Sequence, residues 1–217
     1  MKITNKLTYA MTAMILAGTT FNASALDILI SNDDGFETAN VRALYQELKA
    51  QGHNVIISAP YAQQSSKSGM VLVGEPLTVT TSDSRHGEVL AGAPAYGVSP
   101  TDTNIHYLDG TPVMSLVYGL DVAALETWGH KPDLVISGPN EGPNLGVQGL
   151  TSGTIGNAVM AIKRNIPAIA VSHLNLTDDS SAEMGAELAK VVANIVAKLD
   201  DNGTVALPSF TGLSVNI

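Results

Sequence analysis

Ile28-Leu29-Ile30-Ser31-Asn32-Asp33-Asp34-Gly35 is a short apolar run that stops on two adjacent carboxylates and a glycine. A parallel strand covered on both faces reads as a continuous apolar run, and open α/β sheets bind ligands just beyond the carboxyl ends of their strands. The stretch therefore predicts a first central strand that delivers Asp33 and Asp34 to a crevice. Neighbouring carboxylates raise each other's pKa unless a positive charge lies between them, and a hard divalent cation with oxygen ligands meets that need. Read alone, Asp-Asp-Gly is also an ordinary turn after a strand.

The chain of 217 residues is long enough for one α/β domain with a substantial core. Only 14% of its residues are charged and its formal net charge is -9, which excludes a basic surface for duplex nucleic acid. A small phosphate ester stays compatible with that charge, because a metal can supply local positive potential. Lys2 and Lys6, the mostly apolar Leu7 to Ala17 and the small-x-small Ala23-Ser24-Ala25 have the form of a secretory signal peptide cleaved after Ala25. Its apolar stretch is short for a membrane span and Thr8 and Thr12 interrupt it, so no membrane attachment is expected after cleavage. Removing Lys2 and Lys6 from 11 basic residues leaves 9 against 20 acids, a formal charge of -11. The chain has no cysteine and hence no disulfide framework.

Strand-like and helix-like segments then alternate. Val41, Leu44, Tyr45 and Leu48 lie on one helical face, Gly52 stops that helix, and Val55 to Ser58 reads as a second buried strand parallel to the first. Residues 61–112 are punctuated by Gly and Pro and read as a loop-rich insertion, with Met70–Val73, Leu77–Thr80 and Glu88–Ala91 as candidate short strands. Beyond it come a helix over 113–126, a strand at Leu134–Ile136 broken by Ser137-Gly138-Pro139-Asn140, and a helix over 154–165. A strand at Ala168–Ser172, a strongly amphipathic helix over 181–199 and a last strand at Leu213–Ile217 complete the order. The expected fold is a Rossmann-like three-layer α/β/α sandwich with a mostly parallel sheet and a loop-rich insertion.

Each strand end brings small polar residues to the same edge: Asp33 and Asp34, then Gln64 to Gly69, then Ser137 to Gly146. Such oxygen donors suit Mg²⁺, Mn²⁺ or Ca²⁺, whereas the lack of Cys and of paired His spacing argues against zinc. The five histidines, Trp128, Lys67, Arg85 and Lys163 read as packing or surface residues.

Ser31-Asn32-Asp33-Asp34-Gly35, Ala59-Pro60 with Gln64-Ser65, Ser137 through Gly146 and Ser152-Gly153-Thr154-Ile155-Gly156-Asn157-Ala158 resemble, in order and spacing, the signatures of the SurE family. The last is similar to that family's Ser-Gly-Thr-Val-Gly-Ala-Ala. The resemblance implies a SurE-like phosphatase domain over 26–217, a metal-dependent phosphomonoesterase acting on nucleoside monophosphates (5'/3'-nucleotidase or acid phosphatase). Carried across by position, it implies one divalent cation, Mg²⁺ or Mn²⁺, on Asp33, Asp34, Ser65 and Asn140. The two aspartates would be catalytic, with Asn144, Ser152, Gly153 and Thr154 near the phosphate. Backbone N–H groups at a helix start supply an independent reason for that last placement.

The chain departs from the family pattern at Ser66, where Gly is expected, and at Met114, where Asp is expected. It also ends at Val215-Asn216-Ile217, where relatives continue into a C-terminal extension that contributes to oligomer arms. The resemblance implies a possible homodimer or homotetramer, and the signal segment a periplasmic or secreted location. A signalling receiver domain is disfavoured because Ser137-Gly138-Pro139-Asn140 lacks its phosphoacceptor Asp. An exported, non-catalytic metal- and phosphate-binding protein is the alternative, separable by turnover.

Overall fold

The computed structural model describes residues 25–74, 76–174 and 182–217, so residues 1–24 of the expected signal peptide lie outside the described residues. The first strand, β1 (Asp27–Ser31), is central, and its alternating side chains divide the core. Ile28 and Ile30 enter one apolar cluster with Val41, Leu44, Tyr45 and Leu48 of α1 (Ala39–Ala50) and with Leu188, Val192 and Val196 of α6 (Ala182–Leu199). Leu29 enters a second cluster on the opposite face. There it meets Leu116 of α2 (Pro112–Tyr118) and Ala158 and Ala161 of α5 (Gly153–Lys163). A sheet lined on both faces by helices is the sandwich expected from the sequence.

The seven strands run in the order β3-β4-β2-β1-β5-β6-β7. Five of these are β2 (Asn54–Pro60), β4 (Ile105–Leu108), β5 (Leu134–Asn140), β6 (Ala168–Ser172) and β7 (Gly212–Asn216), each parallel to its neighbours among them and β1. Strand β3 (Tyr96–Val98) caps one edge antiparallel to β4. From β1 the chain winds to one side through β2 and β4, then returns to β5 on the other side of β1. The strand order thus reverses between β1 and β5, and such a switch point opens a crevice at the carboxyl ends of the two strands.

Two expectations need correction. Met70–Val73, Leu77–Thr80 and Glu88–Ala91 do not form strands; their region contributes only an isolated bridge between Val79 and Pro94. The sheet takes Tyr96–Val98 and the fully buried Ile105–Leu108 instead. The helix read over 113–126 is also broken. Gly119 opens a π turn, Gly119–Ala123, before α3 (Ala124–Trp128). A Cβ at Gly119 would lie 2.7 Å from Cβ of Ser58 and 3.0 Å from Leu29, so the sheet is too close for a regular helix carrying a side chain there. Trp128 packs against the second cluster at the end of α3, as expected of a packing residue.

Candidate functional site

The site begins at the exit of β1. Asn32 folds the chain back on itself: its Nδ2 donates to the Gly35 carbonyl at 2.9 Å and its Oδ1 accepts from the Gly35 N–H at 3.2 Å. This turn holds Asp33 and Asp34, which are 3% and 2% exposed, inside the crevice.

Asp33 lies at the start of α5. Its Oδ1 accepts from the Thr154 hydroxyl at 2.8 Å, and the backbone N–H groups of Gly153 and Thr154 favour its ionised form. A carboxylate thus occupies the position where a helix N-terminus favours an anion. Gly153 is required there, because a Cβ would lie 2.7 Å from Cβ of Asp33 and 2.8 Å from Cγ of Pro112. Ser152 caps the helix, its Oγ accepting from the Ile155 N–H at 3.1 Å. The Ser152-Gly153-Thr154 turn expected near a phosphate is therefore already engaged: the Thr154 hydroxyl is on Asp33 and the Ser152 hydroxyl caps α5.

Asp34 turns the other way, its Oδ2 accepting from the Glu141 N–H at 3.0 Å. Glu141 and Asn140 belong to the exit of β5, where the register with β6 shifts between Ser137 and Asn140. Gly138, at φ +111° and followed by a cis bond to Pro139, makes that bend; a Cβ would collide with the Val171 carbonyl. Asn40 in the first turn of α1 is 5% exposed and donates its Nδ2 to the Pro139 carbonyl at 2.5 Å. The Asn140 Nδ2 is used within its own turn, on the Gly142 carbonyl at 2.7 Å, which leaves Oδ1 as the donor atom for a ligand. Asn144 is drawn to the ends of β6 and β7: its Nδ2 donates to Ser172 Oγ at 2.7 Å and its N–H to Asn216 Oδ1 at 3.1 Å.

The loop after β2 supplies the third wall. Gln64 donates its N–H to the Asp33 carbonyl at 2.7 Å, which puts the exposed Ser65 next in chain to a contact with the acidic pair. Ser66 takes φ +66°, the left-handed conformation natural to the glycine that the resemblance leads one to expect at this position. Met114, in the first turn of α2, uses its Sδ to accept from the Leu72 N–H at 3.4 Å.

Burial dominates the electrostatics. Desolvation raises the Asp33 carboxyl above its ordinary value, against the bonds from Thr154 and Gly153. Asp34 is pushed up to about 8, first by desolvation and then by the charges of Asp33 and Glu141, with Arg85 acting in the opposite sense. Arg85, read from the sequence as a surface charge, is exposed and paired to Glu141 at 2.9 Å. Two buried carboxylates driven toward protonation, with a carboxamide oxygen and a serine loop beside them, are an all-oxygen donor set that fits a hard divalent cation. Among the described residues no group of three His, Cys, Asp or Glu is placed to hold a metal, so a cation here would rest on Asp33 and Asp34 with neutral oxygen donors.

Three positioning residues escaped the sequence reading. Asn40 could be noticed only as a polar residue inside an apolar helix pattern. Glu37 accepts from Ser84 Oγ and from the N–H groups of His86 and Glu88, each at 2.8 Å, contacts spanning 47 to 51 residues. Asn157, standing where the resembled motif has Ala, donates to Ser31 Oγ at 3.2 Å and to the Asn32 carbonyl at 3.4 Å.

The family description "Survival protein SurE" matches residues 28–217. An acid phosphatase of Yarrowia lipolytica is 38% identical over 205 residues, covering 89% of this chain and 57% of that protein. A 5'-nucleotidase SurE of Maridesulfovibrio salexigens is 35% identical over 170 residues, covering 78% and 60%. Another, from Lawsonia intracellularis, is 32% identical over 190 residues and covers 88% and 68%. The chain thus spans about three fifths of the length of the first two relatives. The crystal structure of a SurE protein from Aquifex aeolicus matches with a TM-score of 0.68 and 33% identity, covering 88% of this chain and 65% of that one. With this agreement of profile, relatives and fold over nearly all of the described sheet, the chain belongs to the SurE family.

Proposed function

We propose that this protein is a phosphomonoesterase that hydrolyses nucleoside monophosphates with the help of one divalent cation, Mg²⁺ or Mn²⁺. The observation that carries the reading is the buried Asp33-Asp34 pair at the β1/β5 switch point, joined by Asn140 and the Ser65 loop. Similarity to proteins called acid phosphatase and 5'-nucleotidase SurE supports the class of reaction. Bound there, a divalent cation supplies positive charge against a phosphoryl dianion and acidifies water.

The chain's own residues have separable tasks. The Thr154 hydroxyl fixes Asp33, and the Glu141 N–H fixes Asp34, so the carboxylates are oriented before any ligand arrives. A carboxylate oxygen of the pair takes the proton of the attacking water. Ser65 and the Asn140 carboxamide complete the oxygen set, beside Asn144, which is bonded to Ser172 and Asn216, and Ser152, which caps α5. Location in the periplasm or outside the cell rests on the form of residues 1–25. No helix among the described residues is long and apolar enough to cross a membrane.

Phosphate release from a panel of nucleoside monophosphates and p-nitrophenyl phosphate tests the proposal. Mn²⁺, Mg²⁺ and EDTA are compared, with Asp33→Asn/Asp34→Asn as control. Release that needs the cation and disappears in the control is expected. A folded, cation-binding protein without turnover would overturn the enzymatic reading in favour of an exported binding protein.

A further inference from the structure

The region of the acidic pair is short of positive charge. Asp33, Asp34 and Glu141 meet there, the chain is net negative, and the Thr154 hydroxyl at the start of α5 is already bonded to Asp33. A phosphoryl dianion needs a cationic contact besides the cation of the proposed function. Arg85 is the side chain built to give it.

Its turn is constructed. The Glu37 carboxylate, on a residue 6% exposed and three places after Asp34, takes bonds from Ser84 Oγ and from the N–H groups of His86 and Glu88, each at 2.8 Å. Those donors bracket Arg85 on both sides, and Ser84 Oγ further accepts from the Val89 N–H at 3.0 Å. The guanidinium so presented meets Glu141 Oε1 at 2.9 Å, and the N–H of that same Glu141 is on Asp34 at 3.0 Å. One residue therefore touches both Asp34 and Arg85. Beside the guanidinium opens a pocket of about 270 Å³, lined by Ala62, Gln63, Asp83 and Arg85. Gln63 of that lining is followed in the chain by Gln64, whose N–H donates to the Asp33 carbonyl at 2.7 Å. The Arg85 side chain is 29% exposed and that of Glu141 15%, so the pair is open to solvent.

We propose that Arg85 is a phosphate-binding residue of this site, held on the Glu37-clamped turn and parked on Glu141 until a substrate phosphoryl group takes the place of the Glu141 carboxylate. A guanidinium offers forked N–H donors that match a phosphate as well as a carboxylate, so the exchange conserves its hydrogen bonds. The inference rests on the phosphomonoesterase reading and assigns its anion-recognition residue.

The experiment compares wild type, Arg85→Ala, Arg85→Lys and Glu141→Gln by thermal melting, by KM and kcat on p-nitrophenyl phosphate, and by inhibition with inorganic phosphate. Arg85→Ala is expected to raise KM and the phosphate inhibition constant tenfold to a hundredfold, the range of a charge-assisted contact, with a smaller change in kcat. Arg85→Lys should recover part of that loss, and Glu141→Gln should tighten phosphate inhibition severalfold. Should Arg85→Ala not fold, Arg85→Gln takes its place. Turnover by wild type with unchanged KM and phosphate inhibition in the folded Arg85 variant would overturn this proposal alone. A wild type that neither turns over nor binds phosphate would overturn the reading beneath it as well.

Discussion

Replacing Asp34 by Asn should stabilise the cation-free protein, and by an amount that depends on pH. The folded chain keeps the Asp34 proton up to about pH 8, whereas the ordinary carboxyl value is 3.8. Between those values the folded state binds more protons than the unfolded one, so stability falls as pH rises through the window. Integrating from 3.8 to pH 7 gives roughly 4 kcal/mol of lost stability, at about 1.4 kcal/mol per unit. Asparagine is neutral at every pH and can still accept from the Glu141 N–H, so it avoids this loss. In EDTA, Asp34→Asn should therefore melt higher than the parent at pH 7, by roughly 10 °C for a domain of this size. The gap should close as pH falls toward 4. Adding Mn²⁺ should raise the melting temperature of the parent and not of the variant, because the cation favours the ionised pair. The assay is differential scanning fluorimetry of both proteins from pH 4 to 8, with EDTA or Mn²⁺. Parallel curves over the whole range would refute the claim that desolvation of this carboxyl strains the fold.

Other substitutions test how the site is held. Gly153→Ala would push a methyl group onto Asp33 and Pro112, and should cost about 1–3 kcal/mol in urea denaturation while moving Asp33 enough to remove most phosphate release. Thr154→Val removes the buried hydroxyl from Asp33 and should cost about 1–3 kcal/mol, with weaker cation binding by calorimetry. Ser66→Gly should be neutral or stabilising by up to about 1 kcal/mol, because glycine adopts the φ of +66° without strain, whereas Ser66→Val should destabilise; thermal melting of the two separates them.

What the sequence revealed follows from how local each signal is. Ile28-Leu29-Ile30 and Leu134-Val135-Ile136 are buried on both faces, so their continuous apolar runs announced central strands and placed Asp33, Asp34 and Asn140 at the sheet's edge. Ile105–Leu108 is just as buried, yet His106 interrupts its apolar run amid the Gly- and Pro-rich insertion, and the strand was hidden. That histidine is 5% exposed with both ring nitrogens lacking a protein partner, a choice no propensity suggests. Conversely, Met70–Val73 looks like a strand by composition but is exposed and finds no sheet neighbour. Within the site, residue types were legible and pairings were not. That the Thr154 hydroxyl holds Asp33 depends on the β1 exit meeting a helix start 121 residues later. The Arg85-Glu141 pair depends on a turn fixed by Glu37, and nothing within a few residues of Arg85 distinguishes it from any surface arginine.

The most direct test of the central claim is a calorimetric titration of Mn²⁺ into the protein at pH 6, in buffers of different ionisation enthalpy, beside Asp33→Asn/Asp34→Asn. One cation bound per chain, with proton release that disappears together with binding in the double variant, is the predicted result. Equal binding by parent and variant, or none by the folded parent, would contradict the account.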